Sequence, residues 1–437
     1  MDASPASVRK LQRKEKKDKE KAIVSTIRIL MLVPRRQTFV FHLACSDPES
    51  QHFYTWLNDE HNNSDFLVQE GLLAPSDDLP DRPLVSFHES DGQEKATCNQ
   101  ANMMMAFLAA RKLCNDNMKP LLRFTYIDNF VACLSTNKME LCASISKHFD
   151  LIVLCPASDI RKAGIEGNAR VEELHRFCAH ELLQAQVFTY PPLSFAFFFE
   201  DKYNRDKVFE DLKLPFVYSN VTDSPAQSAQ NAIEALMTKY PDNGHVAHIH
   251  ECGIVTKTTN NHCALGVYFF QKTRGTWEVT SHNEHPFVAA GTRMRFEPLV
   301  SEAKNMESRI FATLVAGDRV SIHYKVQTSL GPEGTTTIER PAVSLGETSS
   351  EAAERKIVKD ACHLFCAHFP HWKKAAMHLT LRFDIFHCSD KLYLNEVDVV
   401  PLAYLLLDDY FGTKSYLIKV SDEMETYIRK KWGSWPA

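Results

Sequence analysis

An α/β domain followed by an α+β domain built on antiparallel strands is the architecture this sequence predicts. Before residue 200, short and continuously apolar segments alternate with helical patterns, as in a parallel sheet with helices on its faces. At 187–192, VFTYPP ends that alternation, because a Pro-Pro pair continues no strand ladder. After 200 the strands are shorter and pair as hairpins. The 437 residues, 44% of them hydrophobic, suffice for two or three buried cores and are too apolar for wholesale disorder.

Residues 9–21, RKLQRKEKKDKEK, hold eight basic and three acidic residues. They predict a flexible basic tail over 1–22 and leave the remainder of a chain of net charge −5 distinctly acidic. Such a run also suits nuclear localisation, but the acidic body argues against a nucleic-acid partner. Order is expected from Ile23, in a first domain over 23–200. STIRILMLVP (25–34), KPLLRFTYI (119–127) and FDLIVLCPA (149–157) read as buried strands. QANMMMAFLAARKLC (100–114) and ARVEELHRFCAHELLQA (169–185) read as helices. No GxGxxG follows any strand, so a dinucleotide site is not expected.

The second domain is predicted over 201–437. DKYNRDKVFEDLKL (201–214) reads as a helix, then HVAHIH (245–250), GIVTKT (253–258), LGVYFFQK (265–272) and RMRFEPLV (293–300) as strands. Residues 307–329 read as a hairpin turning at AGD. The stretch 331–351 is poor in apolar residues and reads as a linker loop. A helix over 351–369 leads to a last hairpin, LTLRFDIF (379–386) with KLYLNEVDVV (391–400).

Twelve cysteines are scattered through the chain, mostly in apolar segments, and the lysine-rich N-terminus lacks the apolar core of a signal peptide. They read as reduced thiols of a cytoplasmic protein. No apolar run reaches the roughly 18 residues of a membrane span, so no membrane partner is expected. Glycine is scarce, with 15 residues, so any phosphate grip must do without a glycine-rich loop.

The last hairpin concentrates the chemistry. Side chains alternate between faces, so Arg382 and Asp384 share a face of one strand, and Glu396 and Asp398 a face of the other. A turn near Ser389 to Lys391 sets Asp384 about opposite Glu396. Three carboxylates then meet beside an arginine, which destabilises a sheet unless a cation sits among them. Such oxygen ligands suit Mg2+, which takes carboxylates together with substrate phosphates. Upstream, Lys257 ends the strand GIVTK ahead of a polar, amide-rich loop, a setting suited to phosphate. The proline of FEPLV (296–300) leaves backbone groups able to face a ligand's edge, and ESRIF places Glu307 and Arg309 on one face.

In this order the segments resemble the ATP-grasp superfamily of carboxylate–amine ligases, among them relatives of D-alanine–D-alanine ligase and glutathione synthetase. DKYNRDKVFEDLKLP is similar to the helix that opens its nucleotide-binding lobe, and IVTKTTNNHCALGV to its lysine strand and phosphate loop. RFEPLV is similar to its adenine hinge, ESRIF to its arginine strand, and RFDIF with LYLNEVDVVP to its metal hairpin. The resemblance covers about 200–420, with a lid lobe over about 205–300, and implies a pre-ATP-grasp fold for the first domain.

The resemblance implies ATP and Mg2+ as cofactors. Lys202, Lys257, Asn261 and Gly266 would hold phosphates. Glu297 and the backbone around Leu299 would meet adenine, and Glu302 or Glu307 the ribose. Asp384, Glu396 and Asp398 would hold Mg2+, and Arg309 and Arg382 would stabilise an acyl phosphate and the oxyanion formed on attack. The partners implied are a small-molecule carboxylate and an amine such as an amino acid, with a homodimer left open. Two departures stand out: Asp398 replaces the Asn of many relatives, and NNHCALG holds one glycine.

Other readings carry less. An inositol-phosphate-type kinase would need a basic cluster near the metal face, where only Lys304, Arg309 and Arg382 are in reach. A non-catalytic nucleotide-binding scaffold would be expected to have lost some of these charges. DACHLFCAHFPHW (360–372) invites zinc, but its cysteines share one face of an apolar helix. HIHECG (248–253) reads as a packed strand with His248 and His250 on one face.

Overall fold

The structure is a computed structural model. It describes residues 28–33, 41–44, 48–57, 64–74, 85–90, 93–98, 107–111, 122–154, 168–259, 266–281, 286–300, 307–315, 319–330, 336–343, 349–370, 379–388, 391–399 and 422–428. The basic tail, Asn261, Glu302 and the AGD turn lie outside them. The chain divides into two units, Met1–Leu193 with Asp409–Ala437, and Ser194–Asp408.

The first unit contains β1 (Ile29–Val33), β2 (Phe41–Ala44), β3 (Val85–Ser90), β4 (Gln93–Cys98), β5 (Leu122–Tyr126), β6 (Leu151–Val153) and β7 (Phe188–Tyr190). β5, β1, β6 and β7 form one parallel sheet in that order. β1 and β5 are buried along their whole length, the two-sided burial that continuous apolar runs require. β2, β4 and β3 form a small antiparallel sheet that the sequence reading did not anticipate. Its strands VSFHES and QEKATC carry too few apolar residues for a periodic signal. The helix at 422–428 groups with this unit rather than with the second domain. Its Tyr427 donates to the Thr189 carbonyl of β7 at 3.1 Å, and Met424 and Ile428 are buried.

The second unit holds two antiparallel sheets. The first comprises β8 (Val217–Asn220), β9 (Ile254–Thr258), β10 (Val267–Thr273), β11 (Thr276–Ser281) and β12 (Arg293–Pro298), ordered β11-β10-β9-β12-β8. The helix Pro225–Lys239, capped by Ser224 and started by Pro225, packs Ala229, Ala232, Ile233 and Leu236 against one face. The second sheet comprises β13 (Glu307–Val315), β14 (Arg319–Leu330), β15 (Thr336–Val343), β16 (Leu379–His387) and β17 (Leu392–Val399), ordered β15-β14-β13-β16-β17. One of its faces packs on the helix Ser349–His368 through Val358, Ala361, Cys362, Phe365 and Cys366. The helix Leu193–Glu200 adds Phe195, Phe198 and Phe199 to that core, which is why the unit begins there. Replacing one such Phe by Ala costs about 3–5 kcal/mol.

Three expectations change. HVAHIH forms two short helical turns, Gly244–Ala247 and Ile249–Cys252, instead of a strand. Asn243 caps the first by accepting from the N–H groups of His245 and Val246, and Gly253, at φ 99°, ends the second. Residues 331–351 contain strand β15, which pairs with β14 through bulges despite its low apolar content. The helix at 201–214 closes at Val208 and continues as the turn Glu210–Leu212. Cys362 and Cys366 are buried in the core among Val358, Ala361 and Phe365, and burial pushes the Cys362 thiol up.

Candidate functional site

The site surface of the second sheet follows from register. β16 and β17 pair Asp384 with Glu396 and Arg382 with Asp398, and β13 sets Arg309 opposite Asp384. Pleating therefore gathers Glu307, Arg309, Arg382, Asp384, Glu396 and Asp398 on one face. Arg382 grips Asp384 through two bonds, Nε to Oδ1 and Nη2 to Oδ2, each 2.9 Å, and also donates to Asp398 Oδ2 at 2.8 Å. Arg309 is held more loosely, at 3.3 Å from Glu307 Oε2 and 3.9 Å from Asp384 Oδ1.

Helix Lys202–Val208 brings cations to the same surface. Asp201 caps it by accepting from Tyr203 N, which fixes the first turn. Lys202 then lies 3.8 Å from Glu396, and burial pushes its pKa down to about 8. One turn on, the fully buried Arg205 donates to Asp398 Oδ1 at 3.1 Å and Glu396 Oε1 at 3.0 Å, and to the carbonyls of Phe199 and Val397. Burial opposes its charge, but the carboxylates outweigh burial and raise its pKa. Burial pushes Asp384 up to about 6 against the pull of Arg382 and Arg309. Asp398 is also raised, by burial and then by the Glu396 charge.

The first sheet presents a facing set. β9 pairs Lys257 with Arg295 of β12, and Glu297 follows Arg295 on the same face. Lys257 Nζ lies 2.7 Å from Glu297 Oε1, and Arg295 bonds Glu297 and, at 2.7 Å, Asp206 Oδ2. Asp206 also takes Lys213 at 3.1 Å and the Tyr218 hydroxyl at 2.8 Å. Burial would raise the acids Glu297 and Asp206; the surrounding cations reverse that and hold both low. Burial pushes Lys213 down to about 8.

Asn395 joins the two sheets. Its Oδ1 accepts from Lys257 Nζ at 2.9 Å, its Nδ2 donates to Glu307 Oε1 at 3.1 Å, and its carbonyl accepts from Lys213.

Of the sequence-predicted residues, Lys202, Arg382, Asp384, Glu396 and Asp398 meet in one ionic cluster, with Arg309 and Glu307 at its edge. Lys257 and Glu297 form a pair, reaching Glu307 through Asn395. Leu299 is buried and its N–H donates to the Gly253 carbonyl at 3.0 Å, so that donor is already used. Gly266 precedes β10 at φ 69°, and its carbonyl accepts from Thr258 N. Asn261 and Glu302 fall outside the described residues.

Sequence reasoning missed Arg205, Asp206, Lys213, Arg295 and Asn395. Helical spacing from Lys202 could have found Arg205, and alternation from Glu297 could have found Arg295. Nothing local marks Asp206 or Lys213.

No family model matches the chain, and no curated protein does. Among solved structures, it is similar to N5-carboxyaminoimidazole synthetase from Staphylococcus aureus complexed with ADP, at 9% identity and TM-score 0.42, over 76% of each chain. It is similar to D-alanine–D-alanine ligase from Bacillus anthracis complexed with ATP, at 14% identity and TM-score 0.39, over 75% of this chain and 93% of that one. N5-carboxyaminoimidazole ribonucleotide synthetase from Thermus thermophilus gives 14% identity and TM-score 0.37, over 68% of each chain.

Proposed function

We propose that the second unit is an ATP-grasp catalytic unit that uses ATP and Mg2+ to activate a carboxylate as an acyl phosphate for attack by an amine, forming an amide. The observation that carries this reading is the surface made by Arg382, Asp384, Glu396 and Asp398, with Lys202 beside it and Lys257 reaching it through Asn395. A carboxylate is a poor electrophile, and phosphorylation turns one of its oxygens into a leaving group. That transfer needs several negative charges held in line by fixed cations, away from water. On this reading Lys202 and Lys257 hold phosphates. On the same reading Arg309, the more loosely held guanidinium, meets the acyl phosphate and the oxyanion.

The donor set suits a hard cation, since the side chains offered are carboxylates. Their oxygens are already bonded to Arg205 and Arg382, so their negative charge is largely cancelled. Among the described residues, no group of three or more His, Cys, Asp and Glu side chains is arranged to hold a bare metal ion. Mg2+ therefore fits as its nucleotide complex, with the phosphates supplying the missing charge and Asp384, Glu396 and Asp398 the protein oxygens. Bound there, it would neutralise charge on the transferring phosphoryl group. The apolar cluster of Leu214, Val300, Phe386 and Tyr393, with the Phe386 ring 5.5 Å from Lys257 Nζ, offers a purine base a dry neighbour.

The partners on this reading are a small-molecule carboxylate and an amine, such as an amino acid. No described helix is long and apolar enough to cross a membrane. The test is ADP release across a panel of amino acids and small carboxylates, with hydroxylamine present. Hydroxamate formation supports the ligase; a phosphorylated product without hydroxamate replaces it with a kinase. Nucleotide binding without ADP release from any substrate leaves a scaffold.

A further inference from the structure

Asn395 stands out because strand alternation puts it on the wrong face. Its neighbour Glu396 points to the site, so an unbroken strand would turn Asn395 towards the opposite side. The register shifts instead: Asp384 pairs with Glu396 and Ile385 with Leu394, so Asn395 is the extra residue of a β-bulge. Bulges re-aim side chains, and this one sends Asn395 to the site face.

Its partners fix its orientation. Lysine can only donate and a carboxylate accepts, so Oδ1 must face Lys257 and Nδ2 must face Glu307, as found at 2.9 and 3.1 Å. Lys257 is held from its other side by Glu297 at 2.7 Å. Glu297 is itself tied to Arg295 and buried, so it cannot follow the lysine. The neutral amide is thus the partner drawing Lys257 towards the carboxylate hairpin, against a charged partner on its own sheet. An amide does this without adding charge, whereas an acid would repel Glu307 and trap the lysine between two anions.

We infer that Asn395 is a positioning residue that tethers Lys257 to the carboxylate hairpin and poises it for transfer from Glu297 to an anionic ligand. As a role in ligand handling, this rests on the nucleotide-binding reading above; the tether itself does not.

The tether is tested without nucleotide, by the rate at which an amine-acylating reagent modifies Lys257, followed by peptide mass spectrometry. Asn395→Ala is expected to change that rate roughly ten-fold, as loss of a hydrogen bond to a charged group predicts. An unchanged rate in a variant that melts like the parent overturns the tether. If Asn395→Ala melts early, Asn395→Leu replaces it: it keeps the side-chain volume but offers Lys257 no acceptor, and an unchanged rate there, with unchanged melting, overturns the proposal equally.

The handover is tested by titrating Mg-ATP calorimetrically into the full chain. Asn395→Ala is expected to weaken binding roughly ten-fold. Glu297→Gln in the same background is expected to restore part of it by releasing the lysine. Equal affinity of parent and Asn395→Ala overturns the handover. Absence of Mg-ATP binding by the parent overturns the nucleotide reading and the handover with it, while the acylation result decides the tether.

Discussion

The two faces of the β13–β17 sheet each bury a carboxylate system, and they solve it in opposite ways. On the site face, Asp384, Glu396 and Asp398 crowd together around Arg382 and Arg205, and Asp384 and Asp398 are pushed up. On the helix face, a single acid, Glu354, is fully buried and accepts from Ser308 at 2.6 Å and Lys325 at 2.7 Å, with His387 Nε2 at 2.9 Å. Burial would raise Glu354, but its bonds to His387, Lys325 and Ser308 bring it down. One strand serves both systems: Glu307 and Arg309 point one way and Ser308 the other. The lesson is that one buried acid bonded by three fixed donors is a brace, whereas neighbouring carboxylates keep part of their mutual repulsion even with Lys202, Arg205 and Arg382 among them.

The largest effect is expected on the site face. Glu396→Gln should abolish turnover, by about a thousand-fold or more, because the carboxylate that faces both Lys202 and Arg205 loses its charge. The variant should still fold, with the far-UV circular dichroism of the parent, and full ADP release by it would remove the hairpin from the chemistry. Next, Arg205→Met strips partners from Asp398 and Glu396 while leaving both acids buried or half-buried. Breaking a buried ion pair in this way should cost about 3–5 kcal/mol in denaturant unfolding. A smaller cost would mean that the acids already share their charge with water.

The helix face should respond differently. Glu354→Gln keeps much of the hydrogen bonding but leaves Lys325 without its counter-charge, costing about 1–3 kcal/mol of stability. ADP release should stay within about two-fold of the parent, since the brace touches no site atom. A large kinetic defect with normal stability would show that the two faces are coupled through β13.

The smallest effects are in pH dependence, and their signs oppose. Glu354 sits below its ordinary 4.5, so the stability it contributes is present above 4.5 and lost as pH falls from there through its lower folded value. Asp384 is raised from 3.8 to about 6, so its contribution is present at acid pH and lost as pH rises between those values. Without nucleotide, melting temperatures below pH 4.5 should therefore climb less steeply with pH in Glu354→Gln than in the parent. Between pH 3.8 and about 6 they should climb more steeply in Asp384→Asn. Parallel curves for all three proteins would erase the distinction between the faces.

Much of this was legible in the residues. The parallel sheet announced itself through runs such as Ile29–Val33, because burial on both sides favours apolar residues at successive positions. The hairpin register followed from a period of two, which puts Arg382 with Asp384 and Glu396 with Asp398 before any neighbour is known. HVAHIH misled because its alternation fits a strand, while its caps, Asn243 and Gly253, are signals that belong to helices. Strand β15 was hidden because it pairs through backbone, which polar side chains do not advertise.

What the sequence determined alone was local: which side chains share a face, and that acids and cations occupy one hairpin and the strands before it. Asp398 looked like an added negative charge in a metal site; the fold places Arg205, 193 residues away in the chain, against it. The bulge that turns Asn395 around, and the meeting of Lys257 with Glu307 through it, likewise depend on how two sheets face each other. Periodicity is a property of one strand and can be read there. Charge compensation is a property of distance, and distance between remote residues exists only in the folded chain.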